Sequence, residues 1–459
     1  MCGVFGVYTR LWPCDINLPE VIYLGLQALQ HRGQEAAGIA TANYNGSIHN
    51  YRQKGLVNTV FNPSNLKELK GNVGIGHTRY STTGSDRYLQ PTIEKGILDC
   101  GDMAMAHNGN LINIEPLRWW FDDEHASDSW LLGKLIAQKG REFGYEEGLK
   151  KAITKVEGAY SIVMASKNLL MAARDPYGFR PLVIGTIGSP MKEIKDRDVY
   201  ETYVIASETC ALDIVGATYL RDVKPGELVT ITASGLRSYK LFKQQQHRTC
   251  IFEDVYFSRP DSRVDKGATI YSTRKRLGMF LGAEDTTAIS TIDLVIGVPD
   301  SGMPAAIGYA KARGLEYAEG FIKNRYVGRT FIQPIQSLRE SDLHVKLNVL
   351  TDVVKNKNLV VIDDSIVRGT TTKKLVKMLR EAGAKDIHFR ITAPPVKNSC
   401  IYGVDTPDKS KLIASSKSIE EIRQHIGATS LSFISLESMK KATNREGFCD
   451  ACFTGDYPI

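Results

Sequence analysis

"LVVIDDSIVRGTT", residues 359–371, is the stretch on which the fold turns. Residues 359–362 form an unbroken apolar run, the pattern of a strand buried on both faces. The run delivers two adjacent carboxylates, Asp363 and Asp364, and then Ser365, Arg368, Gly369, Thr370 and Thr371, where a helical pattern begins. Backbone N–H groups in such a turn, opening onto a helix N-terminus, make a cradle for a phosphate. The two acids would repel phosphate and suit sugar hydroxyls or a metal ion instead. No Gly-Lys-Ser/Thr ending and no dinucleotide fingerprint is present, so neither a Walker loop nor a nicotinamide site is indicated.

Working outward, the same strand-then-helix unit recurs. "DLVIGVP" precedes "GMPAAIGYAKARG", and "DIHFRITAPP" follows the central helix. This is the pattern of a doubly wound parallel sheet, whose ligands bind beyond the carboxyl ends of the strands. Asp300 and Ser301, in "GVPDSGMPAAIG", fall at such an end. "FIKNRYVGRTFIQP" carries Lys323, Arg325 and Arg329 beside Gly328, in either a solvated basic loop or a lid. In "SIEEIRQHIG", Ser418 and Glu421 stand at capping-box spacing with Gly427 as the stop, which predicts a helix.

The polar stretch "KLFKQQQHR" interrupts the apolar pattern near residues 240–248, and we divide the chain there into domains 2–240 and 241–459. The first domain reads differently. "GIATANYNGSIHNYR" has an Asn45-Gly46 turn between alternating segments, a hairpin signal. "AYSIVMAS", "PLVIGTIG" and "TYVIAS" read as strands, while "DSWLLGKLIAQKG" and "YEEGLKKAITKV" have helical periodicity. Strand clusters alternating with helix pairs predict a layered α/β sandwich.

Bulk properties exclude several classes. The 459 residues are 42% hydrophobic and 24% charged, as in ordinary globular chains, with a net charge of +7. Basic residues are interleaved with acids, which suits small anionic substrates better than nucleic acid. No run is long and apolar enough for a bilayer and the start lacks a signal-peptide pattern, so a cytoplasmic protein is expected. Eight cysteines in such a chain do not read as a disulfide framework.

The opening, "MCGVFGVYTR", puts a thiol at position 2 behind a methionine that cells remove before small residues. A terminal cysteine unites a nucleophile and an amine of near-neutral pKa on one residue. "GIGHTRYSTTG" places Arg79 after a strand, able to clamp a carboxylate. "AMAHNGNL" places Asn108 and Gly109 where an amide and a backbone N–H can hold an oxyanion. "HASDSW" offers Asp128 to an ammonium group, and "LQHRGQEAAG" sets Arg32 in a polar break.

Residues 359–371 resemble the ribose-phosphate loop of type I phosphoribosyltransferases. By that resemblance Asp363 and Asp364 face the ribose hydroxyls of phosphoribosyl pyrophosphate (PRPP), and residues 365–371 hold its 5′-phosphate. Asp300 and Ser301 match the family's pyrophosphate loop, Lys323 and Arg325 its flexible lid, and Mg²⁺ would sit near Ser301, Asp363 and Asp364. A divalent ion suits a pyrophosphate leaving group. The opening residues resemble class II glutamine amidotransferases, which are N-terminal nucleophile hydrolases. That implies a four-layer αββα sandwich with Cys2, Asn108 and Gly109 catalytic and Arg79, Asp128 and Arg32 binding glutamine. Trp130 departs from that pattern, standing where a carboxylate is common. The two halves in one chain resemble the glutamine PRPP amidotransferase family. The implied reaction hydrolyses glutamine and passes ammonia internally to PRPP, giving 5-phosphoribosylamine at the committing step of purine synthesis. The same resemblance implies purine-nucleotide inhibition and a homotetramer.

"GFCDACFTG" sets Cys449 and Cys452 at Cys-x-x-Cys spacing in the C-terminal tail. With Cys250 and Cys400 they match the ligands of a [4Fe-4S] cluster in one branch of the family. A Cys₄ zinc site is the competing reading. Cys14, Cys100 and Cys210 read as packed or free thiols. Two other functions are weighed: another class II amidotransferase, against which residues 359–371 argue, and a silent PRPP-sensing regulator, which would need a DNA-binding module and no Cys2.

Overall fold

The computed structural model describes residues 1–10, 17–80, 88–97, 99–193, 198–243, 246–264, 267–324 and 347–459. Arg325, Gly328, Arg329 and Cys14 lie outside them. The chain divides into two units. The first comprises Met1–Cys250, Ile401–Asp405 and Ile459, and the second comprises Ile251–Cys400 and Thr406–Pro458. The break thus falls at Cys250, ten residues beyond the expected 240, because residues 248–250 still run along the first unit. There Arg248 N–H donates to the Tyr177 carbonyl (2.8 Å) and Cys250 N–H to that of Phe179 (3.1 Å).

The first unit is built on two antiparallel sheets. One runs in the order Thr218–Asp222, Val183–Glu193, Asp198–Ala206, Gly3–Thr9, Val73–Arg79, Ala36–Ala42, Ile48–Lys54. The other runs Gly235–Lys240, Glu227–Thr232, Leu169–Arg174, Gly158–Ser166, Gly101–Leu111, Thr92–Ile97. Because side chains alternate across a strand, each sheet feeds two cores. Phe5 and Val7 pack outward against Ile22 and Leu26 of the helix Leu18–Ala28. Val4 and Tyr8 point the other way, into a core with Ala104, Ala106 and Val163 of the second sheet. Met103, Met105 and Ile162 then face the helices Asp128–Phe143 and Tyr145–Ile153. Helix, sheet, sheet and helix make the four layers. The Asn45-Gly46 turn closes the hairpin, with Ala42 opposite Ile48 and Gly46 at φ +87°.

The second unit carries a parallel sheet in the order Leu294–Gly297, Leu359–Asp363, Ile387–Ile391, Ser430–Phe433. Leu359, Val361, Phe389 and Ile391 share one core with Leu375 and Leu379 of the helix Thr370–Glu381 and Ile422 of the helix Ile419–Ile426. The helix Gly302–Arg313 lies so close to the strand Leu359–Asp363 that a Cβ on Gly302 would sit 2.4 Å from the Ile362 carbonyl oxygen. The capping box of the helix Ile419–Ile426 is present, and Gly427 ends it at φ +77°. Among the described residues no helix is long and apolar enough to cross a membrane.

Candidate active sites

In the first unit the nucleophile candidate sits at the head of a central strand. Register pairs Gly3 with Thr78, so Cys2 and Arg79 reach the same end of the sheet. Asn108 and Gly109 come from the strand Gly101–Leu111 of the other sheet. The Cys2 N–H donates to Asn108 Oδ1 (3.1 Å) and the thiol contacts the Tyr80 carbonyl (3.7 Å). Asn108 is fully buried, and its Nδ2 has no partner among the described residues. A buried donor without a partner carries a cost on the order of 1–3 kcal/mol, which an arriving oxyanion would offset. Gly109 has φ +156°, and a Cβ there would sit 1.9 Å from the Ala159 carbonyl oxygen, so only glycine fits.

Burial pushes the Cys2 thiol up, against the lowering effects of the chain's amino group and Arg79. A protonated thiol needs a base. With Cys2 at the amino terminus, the nitrogen bonded to Asn108 would be an α-amine on the same residue. Arg79 and Asp128 act on the Cys2 thiol with opposite signs. Such a pair complements the α-carboxylate and α-ammonium of an amino acid. Asp128 opens its helix, accepting from Ser129 N–H (2.7 Å) and Leu111 N–H (3.2 Å).

Arg32, expected among the glutamine-binding groups, is buried. Its Nε donates to the Cys2 carbonyl (3.1 Å) and its Nη1 to Glu208 (2.5 Å), which also meets His31 (2.7 Å). These bonds hold the Cys2 backbone. Glu208 stands 176 residues from Arg32, and nothing local in the sequence marks it. Trp130 packs in an aromatic cluster with Tyr88 and Phe121, at centroid distances of 5.7 and 6.4 Å.

Beneath the site, His77 Nε2 meets the His107 carbonyl (3.3 Å), and His107 Nδ1 meets Ser129 Oγ (2.9 Å). Burial, aided by Arg79, pulls His77 down to about 3. Its folded value lies below its unfolded one, so its stabilising contribution is complete above about 6.5 and is lost as pH falls toward 3. Wild type should lose roughly 1.4 kcal/mol per pH unit below 6.5 from this group. Denaturant titrations at pH 7 and pH 5 check this: His77→Gln, which can still donate to the His107 carbonyl, should narrow the difference between the two pH values.

In the second unit the strand Leu359–Asp363 ends on the acid pair, and Gly369, at φ +76°, turns the chain into the helix Thr370–Glu381. Arg368, Thr370 and Thr371 are exposed there. Ser301 Oγ donates to Asp364 Oδ2 (2.5 Å), and Ser365 Oγ to Oδ1 (2.5 Å). The expected pyrophosphate and ribose loops therefore meet at Asp364. Burial raises both carboxyls, and for Asp363 the neighbouring Asp364 adds to the rise. Two buried carboxylates side by side are the chemistry of a cation or polyol site. Lys323, on the short strand Phe321–Lys323, pairs with Asp300.

Comparison with known proteins places the chain in a family. A glutamine amidotransferase domain model matches residues 77–192. Full-length relatives include amidophosphoribosyltransferases of Synechocystis, 47% identical over the whole chain and 91% of that protein, and of Bacillus subtilis, 44% identical over the whole chain and 94%. The chain belongs to the amidophosphoribosyltransferase family. Among solved structures, the Bacillus subtilis glutamine PRPP amidotransferase complexed with ADP and GMP superposes with a TM-score of 0.88. It is 43% identical, over all of this chain and 97% of that one. A second structure, described as the allosteric regulatory enzyme of purine biosynthesis, gives 0.89 at 43% identity, over 100% and 96%. As an amidophosphoribosyltransferase the chain has a use for both sites: a glutaminase in the first unit and a phosphoribosyl transfer site in the second.

The four cluster candidates divide unevenly. Cys250 is the last residue of the first unit's main segment, and Cys400, Cys449 and Cys452 belong to the second. The Tyr457 phenol, which donates to the Ser399 carbonyl (2.5 Å), is raised by burial and then by Cys400, Cys452 and Cys449. Lys397 and Asn398 N–H both donate to the Cys452 carbonyl (2.9 and 3.0 Å). Thiol donors alone fit an iron–sulfur cluster or zinc. Among the described residues no group of three His, Cys, Asp or Glu side chains is arranged to hold a single metal ion. Cys100 and Cys210 are buried.

Proposed function

We propose that the chain makes 5-phosphoribosylamine from glutamine and PRPP with this division of roles. The Cys2 thiol attacks the glutamine amide, assisted by its own α-amine, while Asn108 Nδ2 and the Gly109 N–H hold the oxyanion. Arg79 and Asp128 grip the amino-acid end of glutamine, and Arg32 steadies the nucleophile's carbonyl. Ammonia leaves, and water cleaves the thioester to glutamate. In the second unit Asp363 and Asp364 hold the ribose hydroxyls, and residues 365–371 receive the 5′-phosphate. Asp300, Ser301, Lys323 and Arg325 attend the pyrophosphate. Mg²⁺, held by Ser301, Asp363 and Asp364, would neutralise charge on the leaving group. Ammonia passes internally to displace pyrophosphate from C1.

The observation that carries this reading is Asn108, whose oxygen is bonded to the nucleophile's nitrogen while its buried Nδ2 waits for an acceptor. Purine nucleotides as feedback inhibitors fit the relative crystallised with ADP and GMP. A homotetramer in the cytoplasm completes the reading.

The cysteines at 250, 400, 449 and 452 are proposed as ligands of a [4Fe-4S] cluster, supported by the Lys397 and Asn398 N–H bonds to the Cys452 carbonyl, which bring the segment before Cys400 to Cys452. Protein purified without oxygen should absorb broadly near 400 nm and contain about four irons and four sulfides per chain. Colourless, zinc-containing, active protein would make the four cysteines a zinc staple instead.

A further inference from the structure

The first unit is completed by five residues that arrive from far along the chain. Ile401–Asp405 leave the second unit after Cys400 and return to it at Thr406. The neck of this excursion is closed by Cys400 N–H donating to Thr406 Oγ1 (2.7 Å) and Ser399 Oγ donating to the Pro407 carbonyl (2.7 Å).

Its tip docks on a rigid platform. Asp175 accepts from the N–H groups of Tyr160, Tyr177 and Phe179 (3.0–3.2 Å). Arg174 donates to the carbonyls of Gly178 (2.9 Å) and Arg180 (2.7 Å). The loop so fixed presents a ring and a guanidinium. Phe179 stacks on Tyr402 with centroids 4.3 Å apart and planes 15° from parallel, and buried Arg180 donates twice to the Tyr402 carbonyl (2.5 and 3.2 Å). The Tyr402 hydroxyl donates to the Ile459 carbonyl (2.6 Å) and accepts from its N–H (3.0 Å).

The next residue, Gly403, then lies against the oxyanion loop. With φ +94°, it has no room for a side chain: a Cβ would sit 2.8 Å from the Gly109 carbonyl carbon and 2.9 Å from its oxygen. Asn110 Nδ2 donates to the Ile401 carbonyl (2.9 Å) on the same approach. The Ala159 carbonyl thus crowds the Gly109 Cα, and Gly403 lies against the Gly109–Asn110 peptide that follows it.

We propose that Ile401–Asp405 is a positioning strap for the glutamine half-reaction, with Arg180, Tyr402 and Gly403 fixing the Gly109–Asn110 peptide and, through the Gly109 Cα, the Gly109 N–H that meets the developing oxyanion. None of these residues touches glutamine. They act through Gly109, and the proposal rests on Asn108 and Gly109 being the oxyanion hole. Displacing a preorganised donor by a fraction of an ångström costs turnover rather than substrate affinity.

Gly403→Ala tests this in the full-length enzyme. Glutamine-dependent kcat should fall roughly 10- to 100-fold, while KM for glutamine and ammonia-dependent synthesis change less than about twofold. Alkylation of Cys2 by a haloacetamide, which forms no oxyanion, should keep its rate. An unchanged glutamine kcat, an equal loss of both activities, or slowed alkylation would overturn the strap. Should Gly403→Ala fail to fold, Asn110→Ala, which removes only the bond to Ile401 at a half-exposed position, decides by the same split, with a several-fold kcat loss expected and no loss sinking the idea. Asn108→Ala separates the two assignments: full turnover in that variant would refute the oxyanion hole itself, whereas its loss beside an unaffected Gly403→Ala refutes only the strap.

Discussion

Cys2→Ala is expected to abolish glutamine-dependent phosphoribosylamine formation while synthesis from added ammonium salt continues. Alanine is small enough for Met1 still to be removed, and it retains the nitrogen bonded to Asn108 (3.1 Å). Arg79, Asp128 and the oxyanion donors also remain, so glutamine should still bind. Only the sulfur is lost, and with it the covalent step. Losing the nucleophile of an acyl-transfer site costs on the order of 10⁶-fold, which takes glutamate release below detection. The second unit keeps its own residues, and free ammonia substitutes for the delivered one. Parallel assays of glutamate and pyrophosphate check the result. Loss of both activities in a folded protein would contradict the division of labour between the two units.

Asp364→Asn should have the opposite reach, removing pyrophosphate release with either nitrogen source. Asp364 is where the hydroxyls of Ser301 and Ser365 converge (both 2.5 Å), 63 residues separating the first from its acceptor. An amide keeps the shape but halves the charge of the acid pair, and a divalent ion then loses much of its hold. A loss of about 10³-fold is expected. Stability should move the other way. Both carboxyls are raised in the folded protein, so their ionisation costs stability increasingly as pH rises above the unfolded carboxylate value. Without divalent ion at neutral pH, relieving that cost should raise the melting temperature of this unit by about 2–4 °C. Added Mg²⁺ should narrow the gap by stabilising wild type more than the variant. A variant that kept its activity, or melted lower without the ion, would remove the acid pair from the site.

The second unit's site was the most legible part of the sequence because its signals are local. The apolar run, the acids, Gly369 and the helix start lie within thirteen residues, and each is dictated by its neighbours. The Asn45-Gly46 hairpin and the Ser418 capping box are legible for the same reason. The residues of the candidate glutaminase site could be singled out one by one, but not their scaffolding. Arg32 could be singled out as a polar break, yet its partner Glu208 stands 176 residues away and follows no period. Arg180 and Tyr402 are 222 residues apart, and no local pattern links them. The domain division shows the same limit: polar composition places the break near 240, whereas backbone hydrogen bonds carry the first unit on to Cys250.

The strap also sets an order of events during synthesis. A ribosome releases the first 250 residues well before it reaches codon 401, and at about 5–20 residues per second the gap lasts on the order of ten seconds or more. Throughout that interval the nascent glutaminase has its nucleophile and its two sheets, yet the Gly109 peptide lacks the support of Gly403. With the strap acting as proposed, glutamine met by an unfinished chain would be hydrolysed more slowly until residues 401–405 have been made.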